Sequence, residues 1–284
     1  TIMAFGFFKK MFFADNIAPL VNQIFTNPIG ASSFEIWIAT IAFGIQIYGD
    51  FSGYSDIAIG TALILGFKIP MNFNKPYFAL SPSDFWRRWH ISLSSWLRDY
   101  LYIPLGGNRK SPSRTYINLF IVMFFGCLWH GASWNFVIWG VLHGLYLGIH
   151  DLLKNRFPFL TKIKFFQTKS GKILSILITQ YFVFLAWIPF RIHDFDHLSY
   201  AMQKYVFIDF VTDNILQFIL LYKIPVALMV LFVILHFISF RKSNLILNIS
   251  NLPLKYWFMP LAIIMTFIVL FYDGNPKDFI YFRF

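Results

Sequence analysis

The sequence predicts an all-α, polytopic membrane protein, and three observations carry that prediction. Apolar residues make up 57% of the chain and charged residues only 13%, with a mean hydropathy of +0.60. A soluble domain carries about 25% charged residues. The 37 Phe, 14 Tyr and 9 Trp form an excess suited to lipid-facing surfaces and interfacial belts. The basic residues behind the net charge of +11 cluster between apolar runs, the pattern of positive loops retained on the cytoplasmic side. Membrane lipids are therefore expected as partners and nucleic acid is not. The single Cys127 lies in an apolar run, so no disulfide framework is expected.

Thr1 to Lys10 lack the basic region, apolar core and cleavage site of a signal peptide. The chain also does not begin with Met, which reads as a fragment missing its N-terminal part. In residues 1–33 Lys9, Lys10 and Asp15 interrupt the apolar pattern, so an interfacial helix and the end of a membrane helix both fit. Phe34 to Gly49 is apolar, and apolar character resumes from Ile57 to Phe67. Asp50 and Asp56 between these half-runs are costly in lipid and are predicted at an interface or in a protein-lined cavity. The Gly, Ser and Asp content of 50–56 predicts a break in the backbone there.

Residues 68–114 carry eight Lys and Arg against only Asp84 and Asp99, which places them on the cytoplasmic side. Ser81 fits an N-cap, Pro82 the first helical position and Asp84 the third, while Pro104 and Gly106-Gly107 end the pattern. One interfacial amphipathic helix over 81–104 follows. Phe85, Trp89, Trp96 and Tyr100 form one stripe; Trp86, His90, Leu93, Leu97 and Leu101 form the next.

Tyr116 to Leu128 and Trp134 to Ile149 are apolar runs joined by Trp129-His130-Gly131-Ala132-Ser133. Each is shorter than the about 20 residues a span needs, and both flanks are basic, the second with Lys154, Arg156, Lys162, Lys164, Lys169 and Lys172. Residues 115–150 are thus predicted as a re-entrant helical hairpin with His130 at its deepest point. Ile173 to Phe190 then crosses outward. Residues 191–214, with Asp194, Asp196, Asp209 and Asp213, have an external composition. Residues 215–240 return, Arg241, Lys242 and Lys255 mark the inside, and Trp257 to Tyr272 crosses again, leaving an extracytoplasmic C-terminus.

His130 is the foremost chemical candidate. An ionisable group at membrane depth is a functional hypothesis by default, and a neutral imidazole is the usual general base near neutral pH. The competing reading is a histidine that only bridges helices. For His90 an interfacial hydrogen-bonded ring competes in the same way. His143 and His150 lie seven apart on one helix face with no third ligand near, so no metal site is expected. His193 and His197 read as a solvated loop, and His236 as packing. The Asp50 and Asp56 carboxylates fit a relay or a structural pair. Arg87, Arg88 and Arg98 fit headgroup contacts or the attraction of an anionic donor. No glycine-rich phosphate loop, nucleophile elbow or HExxH is present, which argues against an ATP-driven pump, a serine hydrolase and a zinc protease.

Taken together, Tyr48-Gly49-Asp50-Phe51-Ser52-Gly53-Tyr54-Ser55-Asp56, Phe85-Trp86-Arg87-Arg88-Trp89-His90, Trp96 through Asn108, Trp129-His130-Gly131 and the terminal Phe279 to Phe284 closely resemble the membrane-bound O-acyltransferases. The nearest subgroup resembles the bacterial alginate O-acetylation membrane protein. The resemblance implies a single domain over 1–284, a ring of tilted and re-entrant helices around a central tunnel, without the family's N-terminal helices. It maps the family's catalytic histidine to His130 and its second active-site polar residue to His90. Trp129, Trp86, Arg88, Trp89, Asp99 and Asp50 are expected along the tunnel or substrate surface. It further implies no resident cofactor, with acetyl-coenzyme A or another acyl thioester as donor substrate. The implied acceptor is a polysaccharide hydroxyl or a periplasmic acetyltransferase partner, reached across the bacterial inner membrane. Transfer of another acyl group such as D-alanine, and a non-catalytic conduit or transporter, are the alternatives; the latter lacks the repeated halves of many transporters.

Overall fold

The computed structural model describes residues 1–159, 163–209, 215–242, 245–272, 274 and 279–280, and all regular structure among them is helical. Lys162, Asp213 and residues 281–284, used in the sequence reading, lie outside the described residues. In chain order the principal helices are α1 (Ile2–Phe7), α2 (Asp15–Phe25), α3 (Ser33–Ile64), α4 (Pro82–Trp86), α5 (Ile91–Leu97), α6 (Pro112–Leu128), α7 (Trp134–Arg156), α8 (Lys169–Arg191), α9 (Phe195–Val206), α10 (Lys223–Arg241) and α11 (Leu254–Phe271). Among the described residues α7, α8, α10 and α11 are long and apolar enough to cross a membrane. The chain gathers into two compact units, Thr1–Met71 with Ser199–Phe284, and Asn72–Leu198.

In the first unit a π-helical stretch, Phe8–Ala14, joins α1 to α2 without a break. The charges that interrupt the apolar pattern there point inward: Lys10 is only 5% exposed. α3 starts at a capping box, with the Glu35 N–H donating to Ser32 Oγ and the Ser32 N–H to Glu35 Oε2. The break predicted at Asp50–Asp56 does not occur, because α3 runs unbroken for 32 residues. Its carboxylates are paired from the π-helical stretch, Asp50 with Lys10 at 2.7 Å and Asp56 with Lys9 at 2.6 Å. The glycines serve close approach instead: a Cβ on Gly53 would stand 2.7 Å from the Gly6 carbonyl oxygen, the small-residue packing favoured between membrane helices. Phe12 packs on Phe271 of α11 and Phe13 on Phe232 of α10.

In the second unit the helix predicted over 81–104 is broken. α4 stops at Trp86, His90 adopts a left-handed conformation with φ 45°, α5 follows, and a second π-helical stretch covers Arg98–Tyr102. The cause is the strap at 72–74. The Asn74 N–H donates to the Arg88 carbonyl and the Ile91 N–H to the Asn72 carbonyl, taking groups that a continuous helix would pair internally. The break also splits the first stripe: Phe85 and Trp89 are buried, while Trp96 and Tyr100 are exposed. α6 and α7 pack closely as a hairpin, with a Cβ on Gly144 only 2.8 Å from the Phe120 ring. α7 continues past Ile149 to Arg156, giving 23 residues, so the expectation of two short half-spans holds for the 17-residue α6 alone.

Candidate active site

The turn between α6 and α7 is shaped by two backbone bonds, His130 N–H to the Cys127 carbonyl and Gly131 N–H to the Leu128 carbonyl. Residue 131 must be glycine, because a Cβ there would stand 2.9 Å from the Phe136 ring. This turn drops the His130 ring into an aromatic cage. Its ring centroid lies 5.1 Å from Trp139, 5.4 Å from Phe190, 5.3 Å from Trp129 and 6.1 Å from Phe136.

His90 reaches the same place from the break between α4 and α5. Its ring lies 6.3 Å from Trp129, so one indole borders both imidazoles. His90 is 8% exposed and His130 5%, but Trp129 is 63% exposed. The two imidazoles are therefore shielded behind a ring that remains open to the surroundings. Burial, and secondarily the charge of His130, lower the His90 pKa to about 3, outside any spanning helix. The His90 imidazole is thus held neutral, chiefly by its burial.

The remaining sequence-predicted residues divide. Trp86 donates from Nε1 to His143 Nδ1 at 3.3 Å, and Trp89 packs between Phe85, Phe73 and Trp187. Arg88 pairs with Asp84 at 2.9 Å and reaches the Asn74 carbonyl, bracing the break beside His90. Asp99 pairs with Arg98 at the surface, and Asp50 belongs to the other unit, bound to Lys10. Among the described residues no three His, Cys, Asp or Glu gather as a metal site.

Three residues that sequence reasoning passed over, Trp139, Phe190 and Asn135, lie at the cage, with His143, which the sequence reading weighed only as a metal ligand. Trp139 and His143, four apart on α7, face Trp86 and Trp187. Phe190 arrives from the end of α8. Asn135 is buried beside the turn. The i, i+4 spacing of Trp139 and His143 was a usable signal for a shared face. His193, read as part of a solvated loop, instead meets Asn135 at 3.1 Å and Phe136. His236 packs between Tyr48 and Phe232.

A multi-pass helical membrane protein with two shielded histidines behind an open indole is a class defined by its site rather than its outline. The profile of MBOAT, the membrane-bound O-acyltransferase family, matches residues 3–193, and the chain belongs to that family. It is 37% identical over 302 residues to a peptidoglycan O-acetyltransferase of Helicobacter pylori, covering 100% of this chain and 56% of that protein. It is 45% identical over 203 residues to the probable alginate O-acetylase AlgI of Pseudomonas aeruginosa, covering 70% of this chain and 36% of that protein. A teichoic acid D-alanyltransferase of Bacillus subtilis is 31% identical over 165 residues, covering 55% of this chain and 40% of that protein. The chain thus spans about half or less of the length of these relatives.

Proposed function

We propose that this chain carries the reaction centre of an O-acetyltransferase of the bacterial inner membrane. It passes an acetyl group from a cytoplasmic thioester, acetyl-coenzyme A or another acyl thioester, to an extracytoplasmic polysaccharide hydroxyl or a periplasmic partner enzyme. The observation that carries the reading is the juxtaposition of His130 and His90, both shielded, at the exposed Trp129. The relatives named for O-acetylation of peptidoglycan and alginate supply the acyl group.

In this reading a neutral His130 takes the proton of the acceptor hydroxyl. The oxygen attacks the thioester carbonyl, the C–O bond forms, the C–S bond breaks, and the thiolate leaves with the proton His130 returns. His90, uncharged beside His130, orients the acceptor or donates its N–H to the developing oxyanion. The aromatic cage keeps water from competing as acceptor. The similarity to teichoic acid D-alanyltransferases favours a second reading, in which the donor is an acyl group on a carrier protein.

The test is the O-acetyl content of cell-surface polysaccharide in a null strain complemented with the full-length gene. With membrane protein levels matched by blot, His130→Ala is expected to lose about 10²–10⁴-fold in transfer. Full transfer by that variant sinks the base assignment. Labelled acetyl-coenzyme A against a charged carrier protein separates the two donors.

A further inference from the structure

We propose that Asn135, with His193 behind it, is a positioning clamp that fixes the Trp129–Ser133 turn, and with it the His130 ring, against the end of α8. Asn135 is 3% exposed. Its amide nitrogen donates to the Pro189 carbonyl at 3.0 Å and meets His193 Nδ1 at 3.1 Å. Its amide oxygen accepts from the Ser133 hydroxyl, the last residue of the turn.

Each contact has a reason. Pro189 lies in the final turn of α8, where the last four carbonyls lack intrahelical partners. Asn135 satisfies one of them from a different helix. With the amide nitrogen donating, His193 Nδ1 accepts, which places the ring proton on Nε2. The amide orientation is thereby set from both sides, by Ser133 at the oxygen and by His193 at the nitrogen. The neighbouring Phe136 packs on Phe190 at 5.4 Å, and both rings belong to the His130 cage. The start of α7 and the end of α8 are therefore locked together at the wall of that cage. Asn135 touches neither reacting group; it acts through the position of His130.

The catalytic consequence rests on the acyl transfer proposed above, so the experiment carries a second readout that does not. Full-length protein in its own membranes is compared as wild type, Asn135→Ala, His193→Phe and His193→Gln, with protein levels matched by blot. Transfer is resolved into kcat and KM, and carbethoxylation of His130 by diethylpyrocarbonate is timed by peptide mass spectrometry. Asn135→Ala and His193→Phe are expected to lower kcat by about 10²-fold, the cost of a misplacement near 1 Å, with KM nearly unchanged and His130 labelling several-fold faster. His193→Gln, whose amide oxygen still accepts from Asn135, recovers most of both losses. Labelling of Asn135→Ala at the wild-type rate overturns the clamp whatever the activity. Wild-type membranes that transfer no acyl group overturn the proposed function instead, while the labelling rates still decide the clamp.

Discussion

The two units bury polar groups in opposite ways. In Thr1–Met71 with Ser199–Phe284 buried hydroxyls accompany charges, and the charges are matched with charges: Lys10 sits between Asp50 and Asp15, and the half-buried Lys9 holds Asp56. The Ile280 N–H then takes the second oxygen of Asp50 at 2.8 Å. In Asn72–Leu198 the buried polar side chains are His90, His130, His143, Asn118 and Asn135, among others, and the rings around them are aromatic. A matched ion pair is committed, since moving its proton breaks the pair. An imidazole held neutral in an apolar cage retains a lone pair for a hydroxyl proton. The first arrangement ties helices together; the second suits chemistry.

The ion pairs give the largest expected effect on stability. Lys10→Met leaves Asp50 without its cation, and removing one partner of a buried pair costs about 3–5 kcal/mol. The melting temperature of the detergent-solubilised protein should fall sharply, or the variant should fail to accumulate. Lys10→Met with Asp50→Leu should recover part of the loss, because an apolar replacement removes the desolvation costs of Lys10 and Asp50 while the half-buried Asp15 still loses its cation. If Lys10→Met with Asp50→Leu and Asp15→Asn remains as unstable as Lys10→Met, Asp50 does more than pair, and the contrast between the units weakens.

A smaller effect is expected from Trp86→Phe in the second unit. It removes the donor to His143 Nδ1 and leaves a buried acceptor unpaired, a cost of about 1–3 kcal/mol. The ring that packs on Trp139 is retained. A fall in melting temperature with transfer kept within a few-fold would mark His143 as support for the cage. A loss of transfer as deep as that of His130→Ala would move His143 into the chemistry.

Composition was enough to predict a helical membrane protein, because lipid imposes apolar helices on any chain that crosses it. His90 and His130 were legible as a pair because the motifs around them resemble a family. Nonlocal partners were not legible. The continuity of α3 depends on lysines 40 and 47 residues upstream of its carboxylates, and nothing in 50–56 alone announces them. The break at His90 depends on the strap at 72–74, which reads as plain loop. The N-cap at Ser81 was correctly placed, since capping is local. Asn135 escaped notice because its partners, Pro189 and His193, lie 54 and 58 residues away.

The smallest effect sharpens the comparison at a half-buried pair of the first unit. Asp209, after α9, accepts from Lys204 and from the backbone N–H of Ser33 at 2.9 Å, and these bonds hold its carboxyl down to about 2. A carboxyl with a depressed folded pKa contributes stability that is present above its unfolded value and is lost as pH falls toward the folded one. The unfolded value is 3.8, so the contribution is expected in full above about pH 4 and gone near pH 2. Asp209 is half-buried near the surface, where such pairs are worth little. Melting of wild type and Asp209→Asn should therefore differ slightly near neutral pH and converge in acid, and added salt should shrink the gap. A difference that survives at low pH would assign the loop contact to the Ser33 hydrogen bonds rather than to charge. The paired-charge description of that unit would then apply to its interior alone.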